Sequence, residues 1–441
     1  MRNILVLGAG RSASTLINYL LKHSSQQQWY VTVADASLQL AQQKVASHSH
    51  ATAIQIDVET EELDKYISKA DIVISMLPAH MHAPVAVACL KHRKHLVTAS
   101  YVSQQIAALH NDANDAGITF MNECGLDPGI DHMSAMKIID KLHADGCTIK
   151  SFKSYCGGLV APQSNNNPWG YKFTWNPRNV ILAGQSTARY IENNSYKYIP
   201  YNRLFTQTES IDIPDFGLFD GYANRDSLSY RNVYGLHNIP TLLRGTLRYE
   251  GYCKAWDVFV RLGLTDDSFK IENASNLSYA KWLSSFLPKH TTNMRQAVAD
   301  FYGIDVNDKV MDAVWFTGIA SDDLIGLDNA SPAQILQHKL EQCWQLQPND
   351  KDLIVMVHLF DYEDANKKKQ QLKSWLTVIG DDAAYTAMAN TVGLPLAIVT
   401  KLILNGQIKD TGVLLPVKAD VYNPILNELE TLGVVFNESH I

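Results

Sequence analysis

The stretch Ile4-Leu5-Val6-Leu7-Gly8-Ala9-Gly10-Arg11-Ser12-Ala13 decides how this 441-residue chain is read. Four consecutive apolar residues bounded by glycine mark a strand buried on both faces. From Ser14 onward Leu16, Ile17, Leu20 and Leu21 recur at helical spacing. A strand, a Gly8-x-Gly10-x-x-Ala13 turn and a helix, in that order, form the fingerprint of a dinucleotide site. Gly8 permits the tight turn, Gly10 lets the backbone approach a pyrophosphate, and Ala13 lets the helix lie close to the strand. Arg11 and Ser12 stand where the free N–H groups of the first helical turn meet the anion.

Working outward, Tyr30-Val31-Thr32-Val33-Ala34 reads as a second strand that ends at Asp35, 25 residues after Gly10. A carboxylate there accepts hydrogen bonds from a ribose 2′-OH and repels a 2′-phosphate, which favours NAD over NADP. Strands follow at Thr52 to Asp57, Ile72 to Leu77, His95 to Ala99 and Ile118 to Met121, with helices near Pro84 to Lys91 and Ser103 to Ala116. Strands alternating with helices predict a doubly wound parallel sheet of Rossmann type, whose ligand sits at the C-terminal ends of the strands. Candidate cofactor contacts beyond the turn and Asp35 are Asp57, Val58, Ser75, Met76, Thr98, Ala99 and Ser100, with Leu126 and Trp175 further on. Ser75, Thr98 and Ser100 follow strands and serve equally well as caps. His80 and His82 have i, i+2 spacing after Pro78 with no carboxylate nearby, so they read as plain loop histidines, and no metal site is expected.

Composition bounds the rest. With 46% apolar and 19% charged residues the chain has the profile of a folded globular protein. Its length exceeds what one core usually organises. A formal charge of -7 argues against a general nucleic-acid binder. No apolar run is expected to reach the ~20 residues that span a bilayer, and the opening segment meets Gly8 and Arg11 too soon for a signal peptide. The six cysteines are scattered without a CxxC pair, as reduced thiols in a cytoplasmic protein are.

After the sixth strand comes Gly125-Leu126-Asp127-Pro128-Gly129-Ile130-Asp131-His132, with a helix from about Ile130 to Leu142. Pro128 restricts Asp127 to extended or turn geometry, so its carboxylate is held in place; a helix cap is the competing reading. Asp131 and His132 read as first-turn residues, Asp131 complementing the helix dipole. Thr148 to Cys156 begins a second sheet, and Pro168 to Trp175 is a rigid aromatic segment that suits a pocket wall or a core corner. In Thr241 to Tyr249, strand periodicity puts Arg244, Thr246 and Arg248 on one face, a fork suited to carboxylates or a solvated basic face. Arg225 stands in a turn upstream.

These residues resemble the L-glutamate-forming saccharopine dehydrogenases. The matching pieces are Thr98-Ala99-Ser100-Tyr101-Val102-Ser103, Gly125 to His132, Ser154-Tyr155-Cys156-Gly157-Gly158-Leu159, Tyr171-Lys172-Phe173-Thr174-Trp175, Asn224-Arg225-Asp226-Ser227, Leu243 to Tyr249, Ala387-Met388-Ala389 and Thr391 to Pro395. They run in order along almost the whole chain; only Thr265 to Asp350 carries little motif. Fungal members place a Cys-Arg pair after the second strand, whereas this chain has Asp35, similar to the NAD-linked half of the bifunctional lysine-degrading enzymes of animals and plants. The resemblance implies oxidative cleavage of saccharopine to L-glutamate and α-aminoadipic semialdehyde, in the direction of lysine breakdown. It implies a carboxylate clamp of Arg225 and Arg248 with Thr246; Arg244 either helps or pairs internally with an acid. Ser100, Tyr101 and Asp127 would line the junction of cofactor and substrate. Asp127 leads as the acid–base group, with Tyr101 and Cys156 behind it.

The expected architecture is a dinucleotide domain over residues 1–130, joined by helices returning at about 382–412. A substrate-binding α/β domain covers 131–381, with a helical insertion near 270–348, and residues 413–441 form a terminal segment. The expected partner is a small-molecule substrate, with no nucleic acid, no membrane and at most a second copy of the chain. Two rivals remain: a related dehydrogenase making carboxynorspermidine, which should lack the full arginine clamp, and a nucleotide-binding sensor without catalysis.

Overall fold

The computed structural model describes residues 1–58, 62–183, 185–288 and 293–440, which divide into two units. Residues 1–149, 362–370 and 376–439 form the first; residues 150–361 and 371–375, with the chain end, form the second. The helix after the sixth strand and most of the terminal segment therefore belong with the dinucleotide fold, not outside it.

The first unit holds strands β1 (Arg2–Leu7), β2 (Trp29–Asp35), β3 (Ala51–Gln55), β4 (Ile72–Ser75), β5 (His95–Thr98), β6 (Thr119–Met121) and, far along the chain, β15 (Gly412–Leu414). Their order is β15-β6-β5-β4-β1-β2-β3, and every pair is parallel. The expected doubly wound sheet is thus present, with its switch point between β1 and β4. Leu7 is in register with Ala34 and Ser75, and Ser75 with Thr98, so the strand ends meet along one edge.

Helices α1 (Ser14–Gln27), α2 (Leu38–Val45), α3 (Glu62–Ile67), α4 (His82–Lys91), α5 (Gln104–Ala107), α6 (His110–Asp115) and α7 (Ile130–Ala144) connect and cover these strands. The single helix expected over 103–116 is two short ones, because the chain relaxes to φ −83°, ψ 1° at Leu109. Helix α16 (Ala387–Leu404) corrects a second expectation: its 18 residues are long and apolar enough to cross a membrane by length and composition. It is instead 78% buried inside the protein and packs against α1. Polar groups on these helices are paired, as burial demands. Thr15 donates to Asn390 at 2.6 Å, and Lys401 donates to Tyr19 at 3.0 Å and to Glu428 of α17 (Ala419–Thr431) at 2.6 Å.

The second sheet has the order β10-β11-β12-β7-β13-β14-β16, with β8 pairing β12 and β9. These strands are β7 (Thr148–Val160), β8 (Ala188–Glu192), β9 (Ser195–Ile199), β10 (Thr208–Ile213), β11 (Gly217–Ala223), β12 (Thr241–Tyr249), β13 (Asp352–Glu363), β14 (Lys369–Ile379) and β16 (Phe436–His440). Helices α8 (Pro177–Ile181), α9 (Tyr201–Leu204), α10 (Tyr230–Val233) and α11 (Tyr252–Leu262) are threaded among them; α12 (Tyr279–Ser284), α13 (Met294–Tyr302), α14 (Lys309–Phe316) and α15 (Pro332–Cys343) follow β12.

The aromatic segment after residue 168 is a core corner. Trp169, Tyr171 and Phe173 are buried and touch Trp344, and Trp169 stacks on Phe259 at 5.5 Å. Lys172 between them does not line a pocket wall: it is 2% exposed and its Nζ donates to Asp350 at 2.6 Å. A buried ion pair costs most when one partner is removed and the other left charged. Lys172→Met should destabilise the second unit by about 3–5 kcal/mol in urea unfolding. Replacing Asp350 with leucine as well should recover a large part of that loss.

Candidate active site

In the first unit Gly8 has φ +102°, and an added Cβ would lie 3.0 Å from the Met76 carbonyl oxygen, so the turn after β1 admits only glycine. Gly10 is different. It is exposed and extended, and nothing lies within 4 Å of its Cβ position. A ligand can therefore approach this backbone directly. The helical turn Arg11–Ala13 and α1 behind it both begin without a side-chain cap, at the position where a helix N-terminus meets an anion in a dinucleotide fold. Asp35, half-buried at the end of β2, accepts from Ala9 N at 2.7 Å through Oδ2 and from Ser37 N at 2.8 Å through Oδ1. Each oxygen keeps lone pairs for a further donor. These residues fit a dinucleotide: pyrophosphate on the turn, ribose hydroxyls on Asp35. Asp57 and Val58 follow β3, Asp57 exposed, while Met76 and Ala99 are half-buried beyond β4 and β5.

Beside that edge, His82 corrects its reading as a loop histidine. It opens α4, is 2% exposed, and its Nδ1 lies 2.8 Å from Ser75 Oγ and its Nε2 2.7 Å from Ser100 Oγ. Burial pushes the imidazole down to about 4, with the His80 charge adding to the effect.

The loop between β6 and α7 is built around a buried carboxylate. Glu123 has φ +54°, a sparsely populated conformation for a non-glycine residue. Its N–H donates to Ser100 O at 3.1 Å, Oε1 accepts from Val102 N at 3.0 Å, and Oε2 accepts from His132 Nε2 at 2.8 Å. Asp131 Oδ1 accepts from Gly129 N at 2.6 Å, and Gly129 has φ +147°. Asp131 and His132 thus do more than complement a dipole: they fold the turn that carries Asp127. The Asp127-Pro128 peptide is cis, Asp127 is half-buried, and the Tyr101 hydroxyl donates to its Oδ1 at 3.4 Å. Leu126 is buried beside it.

In the second unit, Cys156 of β7 is the register partner of Thr246 on β12, and Arg244 lies two residues away on the same face. Tyr222 of β11 pairs with Thr246 and hydrogen-bonds to it. The turn carrying Arg225 is tied to Arg244: Asn224 N donates to Arg244 O, and Arg244 N donates to Ser227 Oγ, both at 2.8 Å. Arg225 is exposed with φ +43°, and Arg244 stacks its guanidinium on Tyr230 at 4.1 Å. Arg244 and Arg248 are both buried, Arg244 at 7% exposed, whereas Arg225 is exposed. Arg248 is 3% exposed, lies 5.1 Å and 5.3 Å from the Tyr171 and Tyr252 rings, and its Nη1 donates to Leu247 O. Aromatic rings enclose it because that end of β12 runs into the core corner. Trp175 is half-buried nearby, its indole donating to the Tyr171 hydroxyl at 3.2 Å.

The family models match both parts of this geometry: "Saccharopine dehydrogenase NADP binding domain" over residues 4–121 and "Saccharopine dehydrogenase C-terminal domain" over 125–434. The chain belongs to the saccharopine dehydrogenase family. A relative from Saccharomyces cerevisiae named "Saccharopine dehydrogenase [NADP(+), L-glutamate-forming]" is 33% identical over 100% of this chain and 99% of its own length. "Alpha-aminoadipic semialdehyde synthase" of Arabidopsis thaliana is 34% identical over 99% of this chain but only 44% of its own length. The solved apo structure of the S. cerevisiae L-Glu-forming saccharopine dehydrogenase superposes with a TM-score of 0.90 at 33% identity, covering all of both chains.

For this family member, sequence reasoning missed His82, Glu123 and the joint role of Asp131 and His132. A signal for the last three existed: ionisable residues packed into an otherwise apolar stretch next to Gly129. His82 also carries a pH consequence. Its folded-state pKa lies below the unfolded value of 6.5, so the unfolded chain binds a proton that the folded chain refuses. His82 therefore withdraws stability as pH falls from about 6.5 to about 4, by about 3 kcal/mol in total, and contributes no pH dependence above that window. Denaturant unfolding across those pH values should show a shallower slope in His82→Phe than in the wild type.

Proposed function

We propose that the protein is an NAD-dependent, L-glutamate-forming saccharopine dehydrogenase. The observation that carries the reading is the assembly of the family-like residues into built clusters. Ser100, Tyr101 and Asp127 meet in one unit; Arg225, Arg244, Thr246 and Cys156 meet in the other.

Saccharopine carries three carboxylates, a primary ammonium and a secondary amine. Arg225 and Arg248 offer guanidinium forks for the carboxylates, Thr246 adds a hydroxyl, and Arg244, stacked on Tyr230, stands two residues from Thr246 to help. When bound, the nicotinamide accepts the hydride from the carbon next to the secondary amine. The amine must be neutral for that hydride to leave, and the attacking water must give up a proton as it adds to the resulting carbon–nitrogen double bond. Asp127 assists one of those steps, its carboxylate accepting a hydrogen bond from the Tyr101 hydroxyl, with Tyr101 and Cys156 the next candidates. One saccharopine, one water and one oxidised dinucleotide then give glutamate, the semialdehyde, reduced dinucleotide and a proton.

The choice of NAD rests on Asp35. Relatives from three fungi carry NADP(+) in their names, but a carboxylate about 4 Å from a 2′-phosphate is repelled by about 1–4 kcal/mol per unit charge, depending on exposure. That amounts to a preference of roughly fivefold to a thousandfold for each unit of phosphate charge, and more than tenfold for a doubly charged phosphate.

Incubation with saccharopine and NAD should release one glutamate per NADH formed, with much slower release on NADP. Glutamate absent with both cofactors would overturn the reading. Asp127→Asn should lower turnover by roughly 10²–10⁴ while NADH affinity stays nearly unchanged; full turnover in that variant would remove Asp127 from the chemistry.

A further inference from the structure

His82 sits under the ends of β4 and β5, enclosed by three hydroxyls: Ser75 Oγ at 2.8 Å, Ser100 Oγ at 2.7 Å and Thr98 Oγ1 at 3.5 Å. Ser75 and Thr98 are 1% exposed. The backbone of Ser100 is held as well, its N–H donating to Thr98 Oγ1 at 3.3 Å and its carbonyl accepting from Glu123 N.

A neutral imidazole offers one N–H and one lone pair. One of its two close hydroxyl neighbours must therefore donate to the ring and the other accept from it. Ser75 Oγ has His82 as its hydrogen-bond partner. Were Ser75 to accept, its own proton would be buried without an acceptor, the costlier arrangement. Ser75 therefore donates to Nδ1, and the proton resides on Nε2. That N–H points at Ser100 Oγ, occupies a lone pair there, and leaves the Ser100 hydroxyl proton to face outward.

We propose that His82 is a positioning residue: by donating from Nε2 it presents the half-buried Ser100 hydroxyl as a hydrogen-bond donor to a ligand oxygen. The acceptor is a carboxylate or carboxamide oxygen, supplied by the substrate or by the nicotinamide. The inference rests on the reading of Ser100 given under Proposed function. Burial keeps the ring uncharged at neutral pH, since its pKa is pushed down to about 4.

The test is a double-mutant cycle of His82→Phe and Ser100→Ala, with Ser75→Ala alongside, read in NADH affinity and in kcat and KM for saccharopine. Each single change should lower kcat/KM by roughly tenfold, the worth of one buried hydrogen bond, and the double variant should be no worse than Ser100→Ala. A loss confined to NADH affinity assigns the acceptor to the cofactor; a loss in saccharopine KM assigns it to the substrate. Ser75→Ala keeps the ring and frees the tautomer, so it should give a smaller loss even where His82→Phe fails to fold. Independently, ¹⁵N spectra of histidine-labelled protein should show His82 as the Nε2–H tautomer from neutral pH down to about 5. Additive losses, full activity in His82→Phe or an Nδ1–H tautomer would overturn the proposal. A wild-type protein inert toward saccharopine would overturn the function reading instead, leaving the tautomer and NADH arms to decide His82.

Discussion

A carboxylate taken out of water must be met by donors, and Glu123 finds them on separate segments: Val102 after β5, and His132 on α7, with its own backbone N–H turned to Ser100. That side-chain anchor adds to the backbone bonds from Glu123 N to Ser100 O and from Cys124 N to Thr98 O in holding the loops after β5 and β6 together. Ser100, Tyr101 and Asp127 all hang from those loops, so the geometry of the candidate chemistry rests in part on one buried charge. The positive φ at Glu123 is consistent with this: strain of that kind persists only where surrounding bonds over-determine the backbone.

A parallel logic holds at the other end of the dinucleotide edge. Asp35 does not simply wait for a ribose, because one of its oxygens is bonded to the backbone of the glycine turn and the other to Ser37. The carboxylate proposed to select the cofactor therefore also holds the turn after β1. Changing Asp35 to admit a phosphate would loosen that turn, so cofactor preference and turn geometry are coupled.

Much of this was legible in the residues. The apolar run before Gly8, the spacing to Asp35 and the alternation of strands and helices are local patterns, and they led to the parallel sheet with its ligand edge. The turn with Arg225 and the strand with Arg244 were legible as motifs, and β12 brought them together. What stayed hidden depends on pairing at long range. His82 looks like a loop residue until β4 and β5 are placed side by side, and the segment with Lys172 suits a pocket wall as well as a core corner until Asp350, 178 positions away, is found against the lysine. Arg248 shares a strand face with Arg244, yet only the fold shows that its end of the strand enters an aromatic cluster. Periodicity gives the face of a side chain, not what covers it.

The proposal that rests most directly on this geometry is that Asp35, fixed to the glycine turn, favours NAD over NADP. Equilibrium titration of the wild-type protein with NADH and with NADPH, followed by nicotinamide fluorescence, tests it most directly. The account predicts NADH binding at least about tenfold tighter, from the charge repulsion between Asp35 and a doubly charged phosphate. NADPH binding as tightly as NADH, or more tightly, would contradict it.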